Sequence, residues 1–425
     1  MEGTWEGRWR GGGRGGWSKK KRNELSPKCA VLKSGFKVQS ISTTTLHYFN
    51  KPLNTLIIII KMAAFIVSLS KKAISVILRA LFSPLVTGPV LLLSTTTALQ
   101  DAPFTFTFVR DVLSSSPWSI RILQGCFTLG ILRKTNSLLN TICENNWQFT
   151  SRSANTEWDF SSEIAVVTGG SSGIGLAIAR ALSSDLNIRA VAVLDLNPPS
   201  SADELEKNER IHYYHCDITS PASIASAAAA IHSDFSGAPS ILVNNAGIGQ
   251  FASILDVSES HLRDIVNVNL LGLWFATREF LPGMIRGDKG HVITIASLAS
   301  FVSLADSAHY AATKAGALAF HEGLVVELRK RFPTKEGGVV SSVVHPTWAK
   351  TAMTEPYLEG LKRGGVEFIT AEQVADEVVG LVKGKKGKQV VVPRAMGYIM
   401  WLRAFPGWMQ TGVRELLSVN KIVGK

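Results

Sequence analysis

The stretch that most constrains this chain is Thr168-Gly169-Gly170-Ser171-Ser172-Gly173-Ile174-Gly175. It follows the β-branched run 164–168 and opens the helical pattern LAIARAL. Glycines at a strand-to-helix turn let the backbone double back and let a pyrophosphate come close. The free N–H groups and the positive end of the helix dipole then face the phosphates. Six more strand runs follow, at 189–195, 211–217, 241–245, 291–297, 339–345 and 389–393, with Ala-rich helical stretches between them. Strands alternating with helices build a parallel sheet covered on both faces. The predicted fold class is therefore α/β, a doubly wound Rossmann-type sheet of about seven strands over 160–395, with an apolar helical N-terminal extension.

A carboxylate stands where such a site needs one. Asp195 ends the second strand, 20 residues after Gly175. There it can accept hydrogen bonds from the adenine ribose hydroxyls, and it would repel a 2′-phosphate. Leu196 and Asn197 offer no cation to receive that phosphate, and neither do Ser171 and Ser172. NAD is expected over NADP. The competing reading of Asp195 is a cap or turn residue.

The candidate chemistry lies downstream. Tyr310 and Lys314, at i and i+4, share one face of a helix running through GALAFHEGLVVELRK. A free phenol titrates near 10. An adjacent ammonium and a positively charged nicotinamide favour the phenolate and should lower that value, so that Tyr310 can exchange a proton near neutral pH. On its own, YxxxK also describes a surface pair. Ser297 ends the strand HVITIAS, 13 residues before Tyr310, where a hydroxyl would face the ligand crevice. Asn244-Asn245-Ala246-Gly247 ends the fourth strand, and Asn269 sits inside the apolar helical run IVNVNLLGLWFATR. A buried structural amide is the other reading of Asn269. His309, His321 and His345 are expected to be structural.

In that order and spacing these motifs resemble the short-chain dehydrogenase/reductase family over roughly 160–395. The resemblance implies a tetrad: Tyr310 as general acid/base, Ser297 orienting the substrate oxygen, and Lys314 binding the nicotinamide ribose and lowering the Tyr310 pKa. Asn269 would hold a water in a proton relay. It further implies cofactor contacts from Thr168, Gly169, Ser171, Ser172, Gly173, Ile174, Gly175, Asp195, Asn244, Ala246, Gly247, Pro346 and Thr351, with Asp217 on the adenine and no metal. His345-Pro346-Thr347-Trp348 departs from the family's Pro-Gly at Thr347, which puts the local backbone path in question. The apolar N-terminus resembles the membrane-associated retinol dehydrogenase and 17β-hydroxysteroid dehydrogenase branch. That branch implies a retinoid, sterol or long-chain alcohol as substrate and a membrane location at the endoplasmic reticulum or lipid droplet. Family membership also implies a homodimer through helices 259–285 and 308–331. A non-catalytic NAD-binding membrane module is the alternative.

Charge separates this region from what precedes it. Of the net +12, all is carried by residues 1–100, with 15 Lys/Arg against 3 Asp/Glu; the other 325 residues hold 30 of each sign. A polyanionic partner such as nucleic acid therefore has no purchase on the catalytic region. Residues 1–54 form a basic Gly/Arg-rich tail too poor in aliphatic residues to fold. Its GRWRGGGRGGW also reads as an RNA-binding run, and Met62 is an alternative start. Residues 55–145 form an apolar membrane-anchor region. Within it, 73–93 has about the length of a spanning helix, weakened by Pro84, Gly88 and Pro89. Residues 396–425 are expected as an amphipathic tail suited to a membrane interface. Cys29, Cys126, Cys143 and Cys216 show neither zinc-site nor disulfide-framework spacing.

Overall fold

The computed structural model describes residues 71–95, 117–144, 158–199, 208–332 and 338–418. The expected basic tail 1–54 and the apolar stretch 55–70 lie outside them. The chain forms two compact units, Met1–Pro89 and Val90–Lys425.

The run 73–93 does not form the single helix that its length suggested. It is split into α1 (Lys71–Leu81) and α2 (Pro84–Thr95). Proline has no N–H to continue the ladder of a preceding helix, so Pro84 begins a new one. Ser83 receives the second start: its carbonyl accepts from the N–H of Val86 and of Thr87, both at 2.9 Å. Among the described residues no helix is long and apolar enough to cross a membrane. The apolar stretch 120–132 lies inside α3 (Pro117–Glu144), a 28-residue helix that also carries Arg121, Arg133 and Lys134.

The second unit is built on β1 (Ile164–Thr168), β2 (Ala190–Asp195), β3 (Ile211–His215), β4 (Ile241–Asn244), β5 (Lys289–Ile295), β6 (Gly338–Pro346) and β7 (Gln389–Val392). They form one parallel sheet in the order β3-β2-β1-β4-β5-β6-β7. A parallel sheet is covered on both faces, which is why β1 and β4 read as unbroken apolar runs. Alternate residues of β1 enter different cores. Ile164 and Val166 pack with Leu242, Phe280 and Leu324 on one side. Ala165 and Val167 pack with Ile178, Leu182, Val374 and Val378 on the other. The helices behind these contacts are α4 (Gly173–Asp185), α7 (Gly272–Arg286), α8 (Ala308–Arg331) and α10 (Ala371–Gly384); α5 (Pro221–Phe235), α6 (Glu259–Val266) and α9 (Leu358–Arg363) complete the set. The strand order reverses between β1 and β4, which opens a crevice at the carboxyl ends of those two strands.

The expected strands agree with these to within two residues. One difference matters: β5 stops at Ile295, so Ser297 lies in the loop beyond it and caps a short 3₁₀ turn, Leu298–Ser300. The C-terminal segment is also less separate than expected. A 3₁₀ helix, Arg394–Ala404, is followed by α11 (Gly407–Leu417). Residues three apart eclipse in a 3₁₀ helix. Ile399 and Leu402 accordingly share a stripe buried in the domain core, while Tyr398 and Trp401 share an exposed one.

At the opposite end of the sheet, Glu163 ties three strand starts together. Its buried carboxylate accepts from Lys289 Nζ at 2.5 Å and from Ser240 Oγ at 2.5 Å. Glu163→Ala would leave both donors unpaired. It should lower the unfolding free energy by about 2 kcal/mol. Urea denaturation should show a lower midpoint with an unchanged slope.

Candidate functional site

The crevice is organised by Thr168 and Asn245. Thr168 Oγ1 accepts from the N–H of Asn245 at 3.0 Å and of Ala246 at 3.1 Å, and donates to Val243 O at 3.4 Å. Asn245 returns two bonds, from Nδ2 to Thr168 O at 3.1 Å and to Gly169 O at 2.9 Å. Thr168 is buried and its hydroxyl is committed to protein atoms, so it builds the site from behind. Asn245 was not selected from the sequence, although it stood in the Asn-Asn pair. An amide at a strand end gives no sign of which loop it will clamp.

Two glycines are dictated by this closeness. Gly169 has φ +63°, and a Cβ there would lie 2.7 Å from Ala246 Cα. A Cβ on Gly175 would lie 2.1 Å from Gly169 O. The turn then delivers α4 with its first N–H groups facing the crevice. Ser172 is the N-cap and makes no side-chain cap bond. Ser171 Oγ is buried without a partner, while Ser171 N donates to Asp195 Oδ2 at 3.0 Å. Thr351 reaches the same turn, 3.2 Å from where a Cβ of Gly173 would sit, and Pro346 ends β6. An uncapped helix start, a glycine cradle, an orphan hydroxyl and a carboxylate at the β2 end fit a dinucleotide. Two further expected contacts are in part committed to protein atoms, with Asn244 Oδ1 left buried and unpartnered. Asn244 Nδ2 donates to Thr277 Oγ1 of α7 at 2.9 Å. Asp217 Oδ1 accepts from Thr219 N and Oγ1, at 2.9 and 2.7 Å, and so shapes the turn into α5.

The catalytic candidates converge beside the loop 245–249. A Cβ on Gly247 would lie 3.4 Å from Asn269 Oδ1 and 3.6 Å from Lys314 Nζ; one on Gly249 would lie 3.2 Å from both Tyr310 Cδ2 and Met353 Sδ. Lys314 is buried, donates to Ile295 O at 3.0 Å, and lies 5.7 Å from the centre of the Tyr310 ring. Burial pushes its ammonium down to about 8. Ser297 Oγ accepts from Ala299 N at 3.1 Å, and its hydroxyl acts on the Tyr310 phenol in the direction that favours the phenolate. The Tyr310 phenol itself is shifted opposite to the sequence expectation. Burial raises it, and the Ser297 bond only partly opposes that rise.

Asn269 lies in a π turn, Asn267–Leu271, between α6 and α7. Such widened turns are frequent at functional sites. Its Oδ1 accepts from Ile248 N at 2.8 Å, and its Nδ2 donates to Ile248 O at 2.9 Å and Thr313 Oγ1 at 3.1 Å. Both amide hydrogens are spent on protein, so the side chain pins the loop to α8 and has only a lone pair left for the expected water. Facing the site is an aromatic wall: Phe251 stacks on Trp348 at 5.5 Å and meets Tyr357 edge-on at 4.7 Å. His309 is bonded to Gln250 O at 2.9 Å and His321 to Ser341 Oγ at 2.8 Å. Among the described residues no group of three His, Cys, Asp or Glu could hold a metal.

Comparison with known proteins agrees with this geometry. The family model for short chain dehydrogenases matches residues 163–362. The dehydrogenase RED2 of Cochliobolus heterostrophus is 44% identical over 205 residues, covering 48% of this chain and 74% of that protein. A D-beta-hydroxybutyrate dehydrogenase of Cupriavidus necator is 34% identical over 235 residues, 55% of this chain and 87% of that one. The 3-oxoacyl-(acyl-carrier-protein) reductase MabA of Mycobacterium avium is 32% identical over 225 residues, with 52% and 82% covered. In fold, the chain is similar to a short chain dehydrogenase/reductase from Burkholderia phymatum crystallised with NAD. The TM-score is 0.53 at 21% identity, over 58% of this chain and 95% of that one.

Two outcomes follow from the site. Asn245→Ala removes both bonds to the glycine turn, about 2 kcal/mol together. It should lower the thermal midpoint by several degrees and, by loosening the turn that would receive the pyrophosphate, weaken NADH binding by up to roughly 30-fold, read by fluorescence titration. For Lys314, the folded value of about 8 lies below the 10.5 of an ordinary lysine. Between those pH values the unfolded chain holds a proton that the folded one has lost. Wild type should therefore gain stability relative to Lys314→Met as pH rises through that window, by up to about 3 kcal/mol. Parallel denaturant titrations at pH 7 and 10 measure the difference.

Proposed function

This chain belongs to the short-chain dehydrogenase/reductase family, and from that membership we propose that it transfers a hydride between NAD and the carbinol or carbonyl carbon of a lipophilic alcohol, ketone or aldehyde. The observation that carries the reading is the meeting of Tyr310, Ser297, Lys314 and Asn269 around Gly247 and Gly249, next to the glycine turn. When bound, the nicotinamide supplies the hydride acceptor for oxidation and the donor for reduction. The chain's own residues do the rest. The crowded main chain at Gly169 and Gly175 and the uncapped start of α4 hold the pyrophosphate, and Ser171 and Ser172 offer hydroxyls beside it. Asp195 at the end of β2 supports NAD over NADP, because a carboxylate there repels a 2′-phosphate.

Tyr310 handles the proton. In the reductive direction its raised pKa keeps the phenol protonated at neutral pH and ready to donate to the substrate oxygen. In the oxidative direction Lys314 and Ser297 favour the phenolate that accepts the proton, Lys314 by its charge and Ser297 by its hydrogen bond. Ser297 also places a hydroxyl where the substrate oxygen must sit. Asn269 holds the loop that carries Gly247 and Gly249, and so fixes the distance between cofactor turn and tyrosine.

The wall of Phe251, Trp348 and Tyr357, with Met353 beside Tyr310, supports a lipophilic substrate. The names of the relatives, a hydroxybutyrate dehydrogenase and a 3-oxoacyl reductase, add hydroxyacyl chains to the retinoids, sterols and long-chain alcohols to be tried. Exposed Tyr398, Trp401, Phe405 and Trp408 support placement of the enzyme at a membrane interface. Exposed Trp274 on α7 and Val326 on α8 support a homodimer through those helices.

The test is NAD- and NADP-linked turnover against that panel, with Tyr310→Phe in parallel. Wild type should turn over with NAD. Tyr310→Phe should lose at least a thousandfold in kcat while NADH binding stays within about threefold, since the phenol carries the proton-transfer step. Comparable turnover in both chains refutes the mechanism. Cofactor binding with no turnover on any substrate points instead to a non-catalytic module.

A further inference from the structure

His345 is the penultimate residue of β6, and nothing in the hydride-transfer scheme requires it. It is fully buried. Its Nδ1 lies 3.0 Å from Ser297 O, its Nε2 lies 3.1 Å from Gln389 Nε2, and its ring packs 4.7 Å from that of Phe301. These partners decide its protonation. An amide nitrogen can only donate, so His345 Nε2 must be the acceptor. The one ring hydrogen is then on Nδ1, and it is donated to the Ser297 carbonyl, which can only accept. Burial together with the charge of Lys314 pushes the ring down to about 4, so it stays neutral over any working pH.

From this geometry we propose that His345 is a positioning residue for Ser297, and that Gln389 on β7 locks the ring in the tautomer this requires. The proposal rests on the roles given above to Ser297 and Tyr310. Ser297 lies two residues beyond the end of β5, outside the strand ladder that would otherwise hold it. Past Ile295, the main chain is tied to the sheet by two bonds. Ala296 N donates to Val344 O at 2.8 Å, and the Ser297 carbonyl accepts from His345. The same carbonyl also accepts from Ser300 N at 3.0 Å within the 3₁₀ turn, so the His345 bond is the one that ties this peptide plane to β6, and with it the direction of the Cα–Cβ bond carrying the hydroxyl. Without it the hydroxyl would still receive the Ala299 N–H and the carbonyl the Ser300 N–H, but both bonds lie within the 3₁₀ turn and neither ties it to the sheet. Gln389 acts one step further out. If its amide were removed, the ring could carry its hydrogen on Nε2. Nδ1 would then turn a lone pair toward the carbonyl oxygen, and attraction would become repulsion.

The readout is the ionisation of Tyr310, which reports the Ser297 hydrogen bond directly and needs no substrate. The full chain carries six tyrosines. With tyrosine labelled with carbon-13 at the ring carbon bearing oxygen, the Tyr310 signal is assigned by its absence in Tyr310→Phe and titrated with NAD bound. His345→Leu, similar in volume and apolar, should raise the Tyr310 pKa by about one unit, a tenfold loss in acidity. His345→Asn puts an amide donor where Nδ1–H stood and should bring the value back to within about 0.3 of wild type. Gln389→Leu should raise it by a smaller step in the same direction; lying half-exposed at a strand start, it decides the matter should His345→Leu fail to fold. An unchanged Tyr310 titration in folded His345→Leu, or in Gln389→Leu, overturns the proposal. So does a shift that His345→Asn does not recover. Failure of the catalytic reading looks different: Tyr310→Phe would keep its turnover, whatever the titrations show.

Discussion

One threonine hydroxyl organises the crevice. Thr168 Oγ1 takes the N–H groups of both Asn245 and Ala246 across the gap between β1 and β4, and Asn245 clasps the glycine turn in return. This is the place where the strand order reverses. Past the last paired residues the two strand ends have no ladder to hold them, yet a cofactor must lie between their loops. Bonds of about 1 kcal/mol each are modest singly. Four of them, all to atoms next to the two loops, fix the separation. Gly169 then lies against Ala246, Gly247 lies against Asn269 and Lys314, and Gly249 lies against Tyr310. The distance from the glycine turn to Tyr310 is set by main chain, most tightly at Gly169, where a side chain would not fit.

The site keeps a positive charge where burial disfavours it. Lys314 is held in the interior, donating to Ile295 O, and desolvation lowers its pKa toward the range where proton chemistry runs. Tyr310 is pushed the other way by the same cause. The two shifts make a neutral phenol beside a weakly held ammonium, a pair that a bound cofactor can tip in either direction. The histidines nearby do not compete. His291, His321 and His345 are pushed down to about 3, 4 and 4, and stay neutral. Each bonds a serine: His291 of β5 to Ser342 of β6, His321 of α8 to Ser341 of β6, and His345 of β6 to Ser297 in the loop after β5.

Toward the two ends of the described chain, local chemistry decides how apolar sequence is used. Pro84 and Ser83 cut a run of spanning length into helices of 11 and 12 residues. After β7 the chain turns into a 3₁₀ helix, whose threefold repeat sends Ile399 and Leu402 into the core and leaves Tyr398 and Trp401 outside. The aromatics that read as one amphipathic tail are thus displayed on a docked platform, held by Ser418 and Arg403 to the loop after Ser297.

The sequence by itself determined the sheet, its strands to within two residues, the glycine turn, Asp195, and the Tyr310–Lys314 pair. Each of these is a local pattern: period, turn chemistry, or two residues one helical turn apart. Tertiary structure alone decided what those residues touch. That Asn245 rather than Asn244 clamps the turn, that Thr168 works from behind, and that Asn269 pins a loop through a π turn all depend on which strand lies next to which. The sign of the Tyr310 shift depended on it too, because spacing gives the distance to a charge and says nothing of how much water is excluded. His345 shows the limit most plainly. Nothing in His-Pro-Thr-Trp shows what the imidazole will bond; only the packing of β6 between β5 and β7 brings Ser297 and Gln389 to the two sides of its ring.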